Sequence, residues 1–326
     1  MSPTNSVTKM GKGNPVNRTE KIFLCTLLLS CIFYISTFHS SSITEKDSRS
    51  RALKPGERPI IKTFYSPLPK FNDEGEEIPQ NEEEKEDPIL NVWKSEWSKA
   101  GFEPVIITIE DAKRHPFYND MKIVIEKVKP DDYYNQYCFY RHLAMAATGG
   151  GWHSDIDAMP ANFPVNFALD LPNGGKFTSF ESYVPSLISA SEEEWSKISK
   201  LITFEASRYD VENERLIPSD MNMFRKLQAG GSDDVIFMES GSYVMGASYI
   251  VKGKNIIDCS IVENIIGIHF SHASLHRLWN DGFFPLDIEG DLSKSLFFNE
   301  PEHRANAIER LMDGVRACLS KSTAEE

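Results

Sequence analysis

At 326 residues the chain has room for one large or two ordinary domains. Its net charge of −13 at pH 7 argues against a nucleic-acid binder, which needs a basic face. Five cysteines are too few, and too poorly placed, for a disulfide-built scaffold, because Cys25 and Cys31 fall inside an apolar run.

Residues 1–21 are polar, with Lys9, Lys12, Arg18 and Lys21 against Glu20, and are expected as a cytosolic tail. Ile22 to Phe38 is uncharged and rich in Leu, Ile and Phe, and the run reaches Ile43 if the serines are counted. Such a stretch can cross a bilayer. Residues 22–43 read as an uncleaved signal anchor, since the preceding region is long and the run exceeds a usual signal core. A cleaved signal peptide is the other reading, because small residues follow. With the basic flank cytosolic, the remainder faces the lumen of the secretory pathway as a single-pass type II protein. Cys138, Cys259 and Cys318 are left there, enough for one internal disulfide. Asn17, the only Asn-x-Ser/Thr acceptor, stays on the cytosolic side.

Residues 44–57 read as a polar stem, and the strand Ile60 to Tyr65 opens a domain over 58–290. Between Asp73 and Asp87 stand nine acidic residues and one lysine, which predicts a solvated loop at 73–87. Asp87-Pro88 starts a helix that runs through Trp93 and Trp97 to Ala100 and stops at Gly101. Val105-Ile106-Ile107 reads as the core of a buried strand, and Glu110-Asp111 opens another helix. Strands alternating with helices predict an α/β fold with a ligand site beyond the carboxyl ends of the strands.

Chemistry concentrates between Tyr133 and Pro160. Asp132 begins a helix that extends to Ala147, and Gly149-Gly150-Gly151 ends it. Apolar and small residues surround this helix, so the guanidinium of Arg141 needs an anionic partner, either a carboxylate or a bound phosphate. Cys138 on the same helix reads as a packed thiol. Trp152-His153-Ser154 is expected as a short extended piece delivering Asp155-Ile156-Asp157 to an open edge. Side chains two apart in an extended segment share a face, so Asp155 and Asp157 would look into one site. Paired carboxylates suit a hard cation, Mn²⁺ or Mg²⁺, bridging to phosphate oxygens. An isolated Asp-x-Asp arises by chance about once in a chain this long. Its neighbourhood of arginine helix, triple glycine and extended approach is what raises this one.

The run RHLAMAATGGGWHSDID resembles the signature of the glycosyltransferase family described as a sugar-binding region containing a DXD motif, which includes fungal α-1,6-mannosyltransferases and inositol-phosphoceramide mannosyltransferases. Arg141, Leu143, Gly150-Gly151, Trp152, Asp155 and Asp157 follow that family's order, while Tyr137 and Cys138 stand where it usually has an acidic residue. The close match covers about thirty residues, with weaker likeness from Ile60 to Trp279. The resemblance implies a glycosyltransferase A-type nucleotide-binding fold and retention of configuration. It also implies a GDP- or UDP-hexose donor, a glycan or glycolipid acceptor, and a Golgi or endoplasmic-reticulum membrane location. In that setting Asp155 and Asp157 would hold the metal, Asp155 and Arg141 would meet the donor, and Tyr65 would stack on its base.

Further along, Phe177 to Glu181 and Val235 to Met238 read as strands, and Ser191 caps a helix to about Ala206. Glu181 and Asp220 are isolated carboxylates in apolar settings, either of which would orient an acceptor hydroxyl or simply form an ion pair. No catalytic nucleophile is named by the sequence. Ile265 to Ile268 leads as a strand into His269 and His272, either a structural residue or the metal ligand that such folds draw from their C-terminal part. Residues 291–326 form a tail with an amphipathic helix from Pro301 to Leu319. Two other functions fit the same residues: a lumenal metal-dependent phosphoesterase, which also clusters carboxylates, and a catalytically silent glycan-binding scaffold.

Overall fold

Strand β1 (Ile60–Phe64) lies inside the main sheet, with Ile61 and Thr63 fully buried. The computed structural model describes residues 57–71, 77–78, 87–129, 132–210, 218–253, 256–283 and 300–322, all within one compact unit, Ser50–Glu326. The tail at 1–21, the apolar run at 22–43 and nearly all of the stem at 44–57 lie outside these residues, as does most of the acidic stretch at 73–87. Among the described residues no helix is long and apolar enough to cross a membrane.

After β1, the two-residue strands β2 (Lys70–Phe71) and β3 (Glu77–Ile78) pair antiparallel, so part of the expected acidic loop is a small ribbon. Helix α1 (Pro88–Lys99) begins where Asp87 accepts a hydrogen bond from the Ile89 amide at 2.8 Å, with proline at its first position. Trp93 and Trp97, one turn apart, are both fully buried. Strand β4 (Glu103–Ile107) pairs only with β1, and only Ile107 is buried. The expected buried strand is therefore an edge strand.

Thr108 and Asp111 form a reciprocal capping box at the start of α2 (Ile109–Lys113). Then come α3 (Tyr118–Val128), α4 (Tyr133–Ala147), β5 (Gly151–Ser154), β6 (Ala158–Pro160) and α5 (Val165–Leu169). The hairpin of β7 (Thr178–Glu181) and β8 (Val184–Ala190) leads into α6 (Glu192–Ser207), capped by Ser191 as expected. Next are α7 (Asp220–Ala229), β9 (Ile236–Phe237), β10 (Val244–Gly246), β11 (Val251–Lys252), β12 (Ile256–Ile257) and α8 (Cys259–Val262). Strand β13 (Gly267–His269), α9 (His272–Asn280) and α10 (Pro301–Ser322) complete the described chain.

The main sheet runs β4-β1-β5-β8-β7-β9, parallel from β4 to β5 and antiparallel across β8. A mixed α/β architecture results. The sheet divides two apolar cores: Ile61, Trp152, Phe180 and Leu187 face α1 and α10, while Phe177, Ile188 and Ala190 face α4, α6 and α7. A smaller sheet, β10-β13-β6, sets β13 antiparallel to β6 with His269 opposite Ala158. That register brings the end of β13 beside the turn that carries the two aspartates.

Helix α10 buries Ala305, Ile308, Leu311, Met312, Val315 and Cys318, the three-and-four spacing expected of an amphipathic helix. Cys318 is disulfide-bonded to Cys259 of α8, and Arg316 pairs with the buried Glu96 of α1. The C-terminal helix is thereby fastened to the core at two places. Cys138 is the cysteine left free among the described residues.

Candidate functional site

Helix α4 supplies the first half of the site. Asp132 caps it by accepting from the Asn135 amide at 3.1 Å, and Arg141 lies buried two turns along. Its guanidinium reaches two carboxylates: Nη1 donates to Asp155 Oδ1 at 2.5 Å, and Nε donates to Asp220 Oδ2 at 2.9 Å, with Nη2 on the same oxygen. His142 Nε2 lies 2.9 Å from that Asp220 oxygen. Burial acts upward on Asp220, but Arg141 and His142 outweigh it and hold the carboxyl below its usual range. Asp220, 2% exposed, is thus the buried counter-ion of Arg141. The anionic partner that Arg141 requires is a pair of protein carboxylates.

The glycine turn fixes how α4 hands over to β5. Lys62 of β1 donates to the carbonyls of Thr148 at 2.6 Å and Gly150 at 2.8 Å, satisfying oxygens that the helix end leaves open. Gly150 has φ +68°, and a Cβ placed there would stand 2.4 Å from the Glu192 amide nitrogen. Only glycine lets the turn lie against the start of α6.

Beyond β5 the expectation of an extended Asp155-Ile156-Asp157 is corrected. The strand stops at Ser154, and the Ala158 amide donates to Asp155 O at 3.0 Å, closing a tight turn into β6. Alternation therefore does not align the two carboxylates. Asp155 turns to Arg141, whereas Asp157 pairs with Arg304 and lies 3.6 Å from His269 Nε2. The main chain is pinned as well, since the Asp155 amide donates to Ser186 O and the Phe270 amide to Asp157 O.

The two carboxylates differ electrostatically. Burial pushes the Asp155 carboxyl up to about 7, with Arg141 opposing the shift and the charge on Asp157 adding to it. Burial also acts upward on Asp157, yet His269 and Arg304 hold it well below the usual carboxylate range. For His269, burial is outweighed by Asp157 and Glu181, which raise its imidazole well above the ordinary value.

Glu181, at the end of β7, accepts from His269 Nδ1 at 2.8 Å and from the Ser186 hydroxyl. Of the two roles open to Glu181, orienting an acceptor hydroxyl or forming an ion pair, it is found in an ion pair, standing behind His269 and setting which ring nitrogen faces Asp157. His272 is exposed on the first turn of α9, and His269 lies 3.6 Å from Asp157. Tyr65 follows β1, donates its amide to Ile107 O at 2.9 Å and packs half-buried against the α1-side core. Continuing the β1–β5 register puts it at the same end of the sheet as Asp155.

Asp155, Asp157 and the imidazole of His269 are the donor types that Mn²⁺ or Mg²⁺ takes. Among the described residues, however, no three His, Cys, Asp or Glu side chains converge as a ready cage. Guanidinium groups hold the carboxylates instead. Arg304 was not foreseen from the sequence, where it is one polar position on an amphipathic helix far from the aspartates. Tyr134, 66% exposed, lies on the face of α4 that also carries Cys138 and Arg141, a helical spacing already present in the sequence.

A family described as a domain of unknown function (DUF8765) matches residues 34–184. No curated protein matches the chain. Among solved structures, the chain is similar to the crystal structure of a glycosyltransferase involved in the glycosylation of the major capsid of PBCV-1. That similarity has a TM-score of 0.35 and 10% identity, over 69% of this chain and all of the other.

Proposed function

We propose that the chain is a metal-dependent glycosyltransferase of the A-type fold, moving a hexose from GDP- or UDP-hexose to a glycan or glycolipid hydroxyl with retention of configuration. One observation carries the reading: Arg141, Asp155, Asp157, His269 and Arg304, drawn from separate elements, meet where β5, β7 and β13 end. Buried carboxylates and cations gathered at strand ends suit a ligand that brings both a cation and a phosphate. The Arg-Leu-Gly-Gly-aromatic-Asp-x-Asp resemblance points the same way.

In this reading Asp155, Asp157 and, once its Nε2 proton has left, His269 would hold Mn²⁺ or Mg²⁺, which would supply positive charge to offset that of a departing diphosphate. Glu181 orients His269, and Asp220 with His142 fixes Arg141 so that Arg141 in turn positions Asp155. Tyr134 and Tyr65 would line the approach. The Cys259–Cys318 disulfide favours an oxidising compartment, in keeping with a lumenal catalytic domain anchored in the Golgi or endoplasmic-reticulum membrane by residues 22–43.

The test is an assay of the full chain in detergent against GDP- and UDP-hexoses with Mn²⁺ and a panel of glycan and glycolipid acceptors. Acceptor-dependent release of one nucleoside diphosphate is expected, falling at least about a hundredfold in Asp157→Asn at a temperature where that variant is still folded by its melting curve. Donor cleavage that ignores the acceptor would favour a phosphoesterase instead.

A further inference from the structure

Two arginines serve the aspartate pair, and they are held differently. Arg141 is fully engaged, with Nε and Nη2 on Asp220 and Nη1 on Asp155. Arg304, from the first turn of α10, uses one nitrogen, Nη2, to hold both Asp157 Oδ2 and the carbonyl of Phe270, the latter at 3.0 Å. Its Nε is buried and has no acceptor among the described residues, although the residue as a whole is only 8% exposed. A buried charge-bearing donor without an acceptor is costly, and an arriving anionic oxygen would remove that cost. The Asp157 oxygen that Arg304 holds is also the one that faces His269 Nε2 at 3.6 Å. A divalent cation drawing on Asp157 and His269 must compete with the guanidinium for that oxygen.

We propose that Arg304 is a placeholder cation that gives up Asp157 when the metal binds and moves to the diphosphate of the donor. The inference rests on the metal-dependent transferase reading above and deepens it by naming the residue that couples metal binding to donor binding. Only a side chain need move. Helix α10 itself is fastened by the Cys259–Cys318 disulfide and by Arg316 on Glu96. The charges explain the coupling: metal alone must displace Arg304 and strand a buried guanidinium, whereas a diphosphate alone meets the charge of Asp157. Bound together, the metal takes the carboxylates and the phosphate oxygens take the guanidinium.

The experiment titrates Mn²⁺ into the full chain in detergent, following the free-ion electron paramagnetic resonance signal. It then measures UDP and GDP binding at saturating Mn²⁺ by equilibrium dialysis. Arg304→Gln is expected to bind Mn²⁺ alone at least about tenfold more tightly than wild type, and the preferred nucleotide at least about tenfold more weakly. Arg304→Met, which keeps the apolar stem, replaces it should the glutamine variant fail to fold. Arg208→Gln, on an exposed arginine at the end of α6, controls for the loss of one positive charge and should change neither affinity. Unchanged or weaker Mn²⁺ binding in the Arg304 variants, or unchanged nucleotide binding, overturns the proposal while leaving the transferase reading standing. Failure of the wild type to bind Mn²⁺ even with both nucleotides present overturns the two together.

Discussion

Asp220 and Asp155 share Arg141 but sit in different surroundings, and substitution should separate their roles. Asp220 is 2% exposed and faces two groups, so Asp220→Asn leaves a buried guanidinium short of charge and should cost about 3–5 kcal/mol in denaturant unfolding. The Asp155 side chain is 27% exposed, and Asp155→Asn should keep most of the stability while weakening the Mn²⁺ binding that the proposed function requires. Equal destabilisation by the two changes would contradict the division into anchor and ligand. His153 gives a pH test. Burial holds its imidazole well below the ordinary value, and its Nδ1 has no partner among the described residues. Below about pH 6.5 the unfolded chain therefore takes up a proton that the folded chain refuses, so stability falls with pH by up to about 1.4 kcal/mol per unit from this group. His153→Leu should lose less stability than wild type between pH 7 and pH 5, and parallel curves would refute the assignment. At this scale the sequence showed Arg141, Asp155, Asp157 and His269, because each lies in or beside a motif. Arg304 carries no local signal, and its role exists only through the packing of α10.

Among elements, the turn between α4 and β5 is the most constrained. An alanine Cβ at Gly150 meets the backbone of Ser191 and Glu192, which cannot give way, whereas at Gly149 it meets open space. Gly150→Ala should abolish folding or lower the melting temperature sharply, while Gly149→Ala should cost roughly 1–2 kcal/mol from its positive φ alone. Similar losses at both positions would contradict the close approach of α6. Helices α1, α4 and α6 were legible because each starts at a capping residue and α1 and α4 stop at glycine. Strand β8 was not legible. Pro185, Ser186 and Ser189 interrupt its apolar run, yet both serines are fully buried and the proline is the second residue of the strand, where the β7–β8 register is irregular. The same lack of an apolar period hid the turn at Asp155, which is held by the Ser186 and Ala158 backbone bonds and by the pairing of β6 with β13.

Across the whole molecule, the C-terminal helix links fold to site. The disulfide joins residues 59 apart, and Cys259→Ser should destabilise the protein by about 2–4 kcal/mol, with a reductant producing the same loss in wild type and none in the variant. An unchanged melting temperature would mean that α10 is held by packing alone. The α/β class followed from alternating strands and helices in the sequence. The mixed sheet and the smaller sheet that positions His269 did not, since pairing order is set by contacts distant along the chain. The central claim is that Asp157 serves a metal-bridged nucleotide diphosphate. Its most direct test is a thermal-shift titration of the full chain in detergent with UDP and GDP, each with and without Mn²⁺, on wild type and Asp157→Asn. One nucleotide should raise the melting temperature of wild type only with Mn²⁺, by an amount equivalent to about 2.7 kcal/mol at a hundredfold excess over its dissociation constant, and should leave Asp157→Asn unmoved. No shift with either nucleotide, or a shift that needs neither Mn²⁺ nor Asp157, would contradict it.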